Sequence, residues 1–316
     1  MQTNPPPPPR IAGAEALDEA AALLRAGGIV AVPTETVYGL AGRADDDAAV
    51  AAIFRAKGRP SFNPLIVHVS DTAVARTLAE FDPAAEALAA AFWPGPLTVV
   101  LLRRAKAGLA PAVSAGLATV ALRCPVHPLM RALLDACGVP LAAPSANRSG
   151  AISPTTAAHV AASLGAAVPL ILDGGPCAAG LESTIVALRG GGRWSVLRPG
   201  PIERSTIAAL LGAEREAFAT GAIEAPGQLA GHYAPSKPLR LKATEAEAGE
   251  FLIGFGAIAG DCSLSPAGDL AEAAARLYRC LHDADAAEPP RIAIAAVPDD
   301  GIGAAINDRL RRAAVG

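Results

Sequence analysis

Apolar positions along the chain fall into short blocks separated by polar, glycine-rich or proline-rich turns, and the blocks alternate between strand-like and helix-like lengths. Residues 28–32 form an apolar run behind Gly27-Gly28 and read as a buried strand. Pro33 cannot donate to a sheet, so the strand stops there. A polar stretch with Thr34, Glu35, Thr36, Tyr38 and Gly39 follows. Residues 46–56 carry a helical pattern and end at the basic turn Lys57-Gly58-Arg59-Pro60, followed by Asn63-Pro64. Residues 65–69 read as a second strand. The segment 33–69 thus delivers two polar loops, one rich in hydroxyls and one cationic, at strand ends, where α/β sheets bind ligands.

The same reading continues on both sides. Residues 14–26 predict a helix stopped by Gly27-Gly28. Residues 71–92 predict one or two helices with a restart at Asp82-Pro83, then a rigid turn at Trp93-Pro94-Gly95-Pro96. Strands are expected at 97–103, 116–122, 139–143 and 170–172, and helices at 127–136, 155–164 and 201–211. The helix at 155–164 would be capped near Ser153, with Pro154 at its first position. Residues 183–188 and 194–198 read as a hairpin around Gly190-Gly191-Gly192. Periodicity fades over 212–237, a linker with the specific wording APGQLAGHYAP at 225–235. From Leu239 onward a strand–helix–strand–helix pattern returns at 250–256, 270–282, 291–296 and 302–314. The expected division is a disordered proline-rich tail (1–13), a first α/β domain (14–211), the linker (212–237) and a small second α/β domain (238–316).

Composition narrows the classes of function. With 316 residues, 52% of them hydrophobic and 18% charged, the chain can bury two cores. A net charge of −3 gives no global pull toward nucleic acid or an anionic membrane, and 4% aromatics argues against a broad base-stacking surface. Cys124, Cys137, Cys177, Cys262 and Cys280 are scattered without a CxxC pair, as reduced thiols of a cytoplasmic protein would be. The opening MQTNPPPPPR has no apolar core of a signal peptide, and no apolar run approaches the ~20 residues of a membrane helix.

Three groups of residues carry candidate chemistry. Lys57 and Arg59 offer an ammonium, a guanidinium and open backbone N–H groups suited to phosphate, or else ordinary positive charge at a helix C-terminus. Ser145-Ala146-Asn147 with Ser149, Ser153 and Thr155 suits an anion or ribose, or else a capped loop. His68, Arg123, Ser183 and Arg198 are single polar residues at or near strand ends; each alone reads as structural, and together they suggest one pocket. There is no GxxxxGK[ST], no zinc-ligand spacing and no GxSxG. Gly254 to Gly260 spells GxGxxxG, which misses the dinucleotide fingerprint. Nothing points to a protein nucleophile, so an enzyme built on these residues would work by positioning and charge stabilisation.

Together, PTETVYGLAG, KGRPSFNPLIVHV, WPGPLT, LRCP, APSANRSGAISPT, ESTIV, LRPGPI and APGQLAGHYAP resemble the threonylcarbamoyl-AMP synthases, in the longer two-domain form of the Sua5/YrdC family, over about residues 28–235. The resemblance implies a twisted, mixed-sheet YrdC-like α/β domain with a concave pocket and a small Rossmann-like C-terminal domain. It implies condensation of L-threonine, bicarbonate and ATP into L-threonylcarbamoyladenylate with release of pyrophosphate. Mg2+ would accompany ATP without a direct side-chain ligand, and the product would pass to the tRNA threonylcarbamoyl transferase machinery for t6A. Direct contact with tRNA stays open. Threonine contacts carry over to Thr36, His68, Arg123, the Ala143 main chain and Ser183. ATP contacts carry over to Arg59, Asn63, Thr119, Ser145, Ser153, Arg198 and Tyr233, with Lys57 and Arg59 as the catalytic cations. Tyr233 lies in the linker, which the resemblance makes a lid over the pocket. The chain departs from the family at Ala187, where STIVD is usual, and at Gln228, where APGM is common. The rival readings are an RNA-binding module of the YrdC type without adenylation activity, and a carbamoyl-adenylate step within a larger maturation factor whose metal-binding motifs this chain lacks.

Overall fold

In the computed structural model, which describes residues 8–214, 223–228 and 231–315, the chain builds two separate sheets. The first domain runs β1 (Arg10–Ala12), α1 (Leu17–Arg25), β2 (Val30–Val32), β3 (Gly39–Arg43), α2 (Asp47–Lys57), β4 (Ile66–His68), α3 (Thr72–Leu78), α4 (Pro83–Phe92), β5 (Leu97–Leu102), β6 (Thr119–Arg123), α5 (Pro128–Cys137), β7 (Leu141–Ala142), α6 (Ala157–Leu164), β8 (Leu170–Leu172), β9 (Thr184–Leu188), β10 (Trp194–Arg198) and α7 (Arg204–Leu211). Its sheet has the order β1-β8-β2-β3-β7-β4-β6-β5-β9-β10 and mixes parallel pairs, such as β4 with β6, and antiparallel pairs, such as β5 with β6. The second domain runs β11 (Leu239–Ala243), β12 (Glu250–Gly254), β13 (Cys262–Ser263), α8 (Leu270–Ala286), β14 (Arg291–Ala295) and α9 (Gly303–Ala313). Its sheet, β11-β14-β12-β13, is parallel throughout. Among the described residues no helix is long and apolar enough to cross a membrane.

Strand alternation decides which face becomes the site. Val67, Val99, Leu122, Val186 and Trp194 point to one side of β4, β5, β6, β9 and β10, where Leu88 of α4 and Ile207 of α7 join them in a buried core. The opposite set is Ile66, Val100, Ala121, Ile185 and Ala187, and it packs beneath Ala225 of the linker. Continued along the same face, the strands end in His68, Arg123, Thr98 and Ser183. A bulge between Val196 and Arg198 in β10 turns Arg198 into this row.

Helix ends follow local chemistry. The Asp46 carboxylate caps α2 at the Ala48 and Ala49 amides, and Gly58 closes the helix in the left-handed region at φ 61°. That glycine turns Lys57 and Arg59 out of the helix axis in different directions.

The structure departs from the expected elements in three places and agrees with the reading in a fourth. Residues 10–12, expected within the tail, form β1 and pair in parallel with β8; Pro5 to Pro7 lie outside the described residues, as do linker residues 215–222, Leu229 and Ala230. Gly39–Arg43, expected as loop, is a strand antiparallel to β2; two glycines hid it, and Gly39 is required because a Cβ there would meet the Ala143 Cβ at 3.2 Å. The cap of α6 is Thr156, accepting from His159 N, while Ser153 lies upstream of the helix. Gly254 and Gly260 serve close backbone approach: a Cβ on them would lie 2.2 Å from Ile258 O and 2.3 Å from Leu252 O, and no helix starts after them until α8.

The two domains meet face to face. His159 of α6 stacks on His282 of α8 with ring centres 3.8 Å apart, and His282 Nε2 lies 3.1 Å from the Ser153 carbonyl. Gly180, at φ 66°, sits against the α8 backbone, where a Cβ would come within 2.5 Å of Ala275 Cα. Gly180→Ala must therefore push α8 away, adding about 1–3 kcal/mol of overpacking to the backbone strain. Gly138→Ala, at φ 67° with open space around it, adds the strain alone. The Tm of Gly180→Ala should fall roughly 2–12 °C below that of Gly138→Ala; equal Tm values would reject the close approach.

Candidate active site

The polar strand ends converge with two loops on one cavity. Thr36, His68 and Arg123 line it on one side, Ala143 and Ser145 on another, and Arg59, Ser183 and Arg198 on a third. Pro226, His232 and Tyr233 of the linker close it. The remaining space is about 40 Å³, room for a few waters, whereas pockets that hold cofactor-sized ligands span roughly 300–1,000 Å³. The linker thus occupies space that a nucleotide would need.

One corner is built around Arg123. Its NH2 donates to the Glu35 carboxylate at 2.7 Å and its NH1 to Thr36 Oγ1 at 2.8 Å. Burial works to raise the Glu35 pKa, but the Arg123 guanidinium outweighs it and holds the carboxyl below its ordinary value. Each terminal nitrogen of Arg123 keeps one N–H, enough for a bidentate acceptor. Thr34 Oγ1 receives the Thr36 and Val37 amides and fixes this loop. His68, beside Arg123, is buried with its Nδ1 unpartnered, and burial together with that guanidinium pushes its pKa down to about 3. It is a neutral imidazole with a free nitrogen.

The opposite corner is cationic. Arg198 donates to the Ser183 carbonyl at 3.1 and 3.0 Å and to Ser183 Oγ at 3.1 Å; that hydroxyl also meets Thr98 Oγ1 at 2.7 Å. Arg59 donates to the Asn63 carbonyl, the Asn63 side chain and the Pro64 carbonyl at 3.1, 2.7 and 2.8 Å. These acceptors are neutral. Burial lowers the Arg59 pKa to about 10, and burial lowers that of Arg198 as well. Asn63 Nδ2, His232 Nδ1 and Tyr233 Oη are buried without partners, as His68 Nδ1 is. Buried polar atoms are almost always satisfied, so the orphans on His68, His232 and Tyr233 of the cavity lining, with Asn63 behind it against Arg59, mark a place made for a polar ligand.

Four expected contacts lie outside the cavity lining, Asn63 among them, where its carbonyl and its side-chain oxygen accept from Arg59. Lys57 is buried outside the cavity lining, and its Nζ donates to the Ser145 and Asn147 carbonyls at 2.5 and 2.6 Å. It ties down the Ser145-Asn147 loop from behind and does not line the cavity. Ser153 is fully buried and gives its hydroxyl to Glu182. Thr119 lines a different hollow, of about 400 Å³, with Leu102 and Arg189. It still shares the face of β6 that carries Ala121 and Arg123, beyond the bed now covered by Ala225. Sequence reasoning assigned no role to Glu182, Glu35 or His232, which the structure places at the cavity wall or against it.

The family described as "Telomere recombination" (Sua5_yciO_yrdC) matches residues 22–200, and "Threonylcarbamoyl-AMP synthase, C-terminal domain" (Sua5_C) matches residues 202–315. The chain is 40% identical over 322 residues to a threonylcarbamoyl-AMP synthase of Bacillus subtilis, covering 94% of this chain and 92% of the relative. It is 39% identical over 321 residues to that of Pyrococcus abyssi, covering 93% and 92%. The crystal structure of P. abyssi Sua5 complexed with L-threonine superposes with a TM-score of 0.89 at 34% identity, over 97% of this chain and 98% of that one.

Burial makes the protein acid-sensitive. His68, His159 and His232 are each held at about 3 against an ordinary 6.5, chiefly by desolvation. Unfolded, they take up protons near 6.5; folded, they resist until about 3, so the unfolded state binds more protons across that window. Glu182, held at about 2 as Arg309 and Arg198 outweigh its burial, acts in the same direction below its ordinary 4.5. Stability should be insensitive to these groups above pH ~7 and fall below 6.5, with a slope approaching about 1.4 kcal/mol per pH unit for each fully buried histidine. Urea denaturation at pH 7.5, 6.5, 5.5 and 4.5 measures it; a flat profile would refute the buried neutral histidines.

Proposed function

The chain belongs to the Sua5/YrdC family in its two-domain threonylcarbamoyl-AMP synthase form, and we propose that its cavity condenses L-threonine, bicarbonate and ATP into L-threonylcarbamoyladenylate and pyrophosphate, a nucleotidyl transfer that serves t6A formation in tRNA. The observation that carries this is the pair of buried guanidiniums, Arg59 and Arg198, whose bonds go to neutral acceptors. They lie across one cavity from a corner shaped for an amino acid. Buried cations whose hydrogen bonds reach no carboxylate call for an anion, and a triphosphate supplies it.

In this reading Arg123 takes the threonine carboxylate through its two remaining N–H groups, held in aim by Glu35. Thr36, Ser183 and the Ala143 main chain frame the amino acid. The neutral threonine amine attacks the bicarbonate carbon, water leaves, and a carbamate forms beside the neutral His68. A carbamate oxygen then attacks the α-phosphorus in line as the bond to the β-phosphate breaks. Arg59 and Arg198 stabilise the charge that builds on the phosphate oxygens and the departing pyrophosphate. Mg2+ bound with ATP would neutralise part of the triphosphate charge; among the described residues no three His, Cys, Asp or Glu side chains group as a cation site, so the nucleotide itself would hold the ion. Closure by Tyr233 and His232 would keep water from the labile carbamate and anhydride.

An RNA-binding module needs an exposed basic face. Here Arg59, Arg123 and Arg198 are all buried, which favours a small anionic ligand. The five cysteines are free thiols, in keeping with a reducing, cytoplasmic setting from which product reaches the tRNA-modifying enzyme.

Pyrophosphate release should depend on L-threonine, bicarbonate and ATP together, with serine a weaker substrate than threonine. Arg59→Ala and Arg198→Ala should each lower kcat/KM by roughly a hundredfold, about 3 kcal/mol. Undiminished turnover in both variants would reject the assignment of the cationic corner.

A further inference from the structure

One arginine of the second domain reaches three walls of the cavity from behind. Arg309 of α9 is fully buried. Its Nε donates to Glu182 at 2.9 Å, its NH2 to the Pro199 carbonyl at 2.9 Å, and its guanidinium carbon lies 5.2 Å from the centre of the Tyr233 ring. Glu182 immediately precedes Ser183, and Pro199 immediately follows Arg198. Tyr233 is the linker residue that fills the cavity. The Glu182 carboxylate also receives the Tyr278 hydroxyl of α8 at 2.9 Å and the Ser153 hydroxyl. The backbone here has no slack, since a Cβ on Gly200 would lie 2.4 Å from Thr184 N.

We propose that Arg309 and Glu182 form a positioning pin through which the second domain sets the aim of Ser183 and Arg198 and seats Tyr233 over the bound nucleotide. The inference rests on reading the cavity as the synthase site. Ser183 and Arg198 are bonded to each other side by side, at the start of β9 and the end of β10. The pin holds the residue before one and the residue after the other, so it fixes their relative position, with Arg309 itself outside the cavity lining. Its third contact, to the Tyr233 ring, exists only while the linker is seated. A guanidinium can make all three contacts at once because it is planar and carries five N–H donors; an ammonium cannot. Asp308, which receives Arg309 NH1 at 2.7 Å, orients the fork from the same helix.

Arg309→Lys keeps the charge and loses the fork, Glu182→Gln keeps the shape and loses the charge, and Arg309→Met removes both charge and donors. Steady-state kinetics with ATP varied at saturating threonine, together with melting curves, separate a pin from a plain interdomain tie. Arg309→Lys and Glu182→Gln should remain folded and lose roughly 10- to 100-fold in kcat/KM for ATP. Combining Arg309→Lys with Tyr233→Leu should lose no more than the worse single variant, because both act through one seated arrangement. Wild-type kinetic constants in folded Arg309→Lys and Glu182→Gln, or strictly multiplicative losses in the double variant, would overturn the pin. Should Arg309→Met fail to fold, the two conservative variants carry the test. A wild-type protein whose ATP consumption ignores threonine would sink the synthase reading instead, which keeps the two failures distinct.

Discussion

Uncompensated positive charge is the constraint that orders this molecule. Lys57, Arg59 and Arg198 are all buried, and their hydrogen bonds go to carbonyls, an amide and a hydroxyl. Two carboxylates are close by, but each is committed elsewhere: Glu35 to Arg123 and Glu182 to Arg309. Neutral acceptors recover part of the lost hydration and leave the net charge in place. Desolvation accordingly pulls the Lys57 pKa well below its ordinary value and that of Arg59 down to about 10. Folding such a cluster is worthwhile only because the sheet, capped helices and second domain supply the rest of the stability, and an anionic ligand then meets donors already aimed at it.

The same constraint gives the linker its character. With the site closed, Tyr233 Oη, His232 Nδ1 and His68 Nδ1 are buried without a protein partner, beside a cavity roomy enough for water. Tyr233 also stands at φ 66°, a conformation that is strained for an aromatic residue. Packing opposes that strain: the Tyr233 ring is fully buried between Arg309 and Tyr278, and Ala225 covers the apolar bed of the sheet. A polar ligand that satisfies the unpartnered atoms directly would favour closure. Opening must precede binding, since about 40 Å³ admits no amino acid with a nucleotide.

How much of this could be read beforehand follows the range of the interactions. Short apolar runs bounded by turn residues located β4 and β5, the Gly190-Gly191-Gly192 turn located the β9–β10 hairpin, and a polar residue closing an apolar run located His68, Arg123 and Arg198; these signals are local. The strand Gly39–Arg43 stayed hidden because its two glycines, packed close to the Ala143 and Ile53 side chains, break the hydrophobic pattern. Lys57 was visible as a charge, but its direction depends on Gly58, whose left-handed turn separates it from Arg59. Glu182 and Arg309 lie 127 residues apart and meet only when the domains dock, so nothing in either local sequence pairs them. The 3–4 spacing of Ala305, Ile306, Leu310 and Ala313 does put Arg309 on the buried face of α9, but its partners across the domain boundary leave no trace in the local sequence.

The two positions where the chain departs from its family belong to one contact. Ala187 is fully buried on the face of β9 that carries Ile185, in the same cluster as Ala225 of the linker. An aspartate there would bring a carboxylate into an apolar bed, with a cation or water needed to satisfy it. Gln228 lies three residues beyond Ala225, and its side-chain oxygen accepts the Glu224 and Ala225 amides at 2.7 and 2.9 Å. A methionine could not close that turn. The apolar floor and the self-capped turn above it are complementary: with Ala187 below, the segment 223–228 gains nothing from a polar anchor to the strand, so it draws its order from its own glutamine.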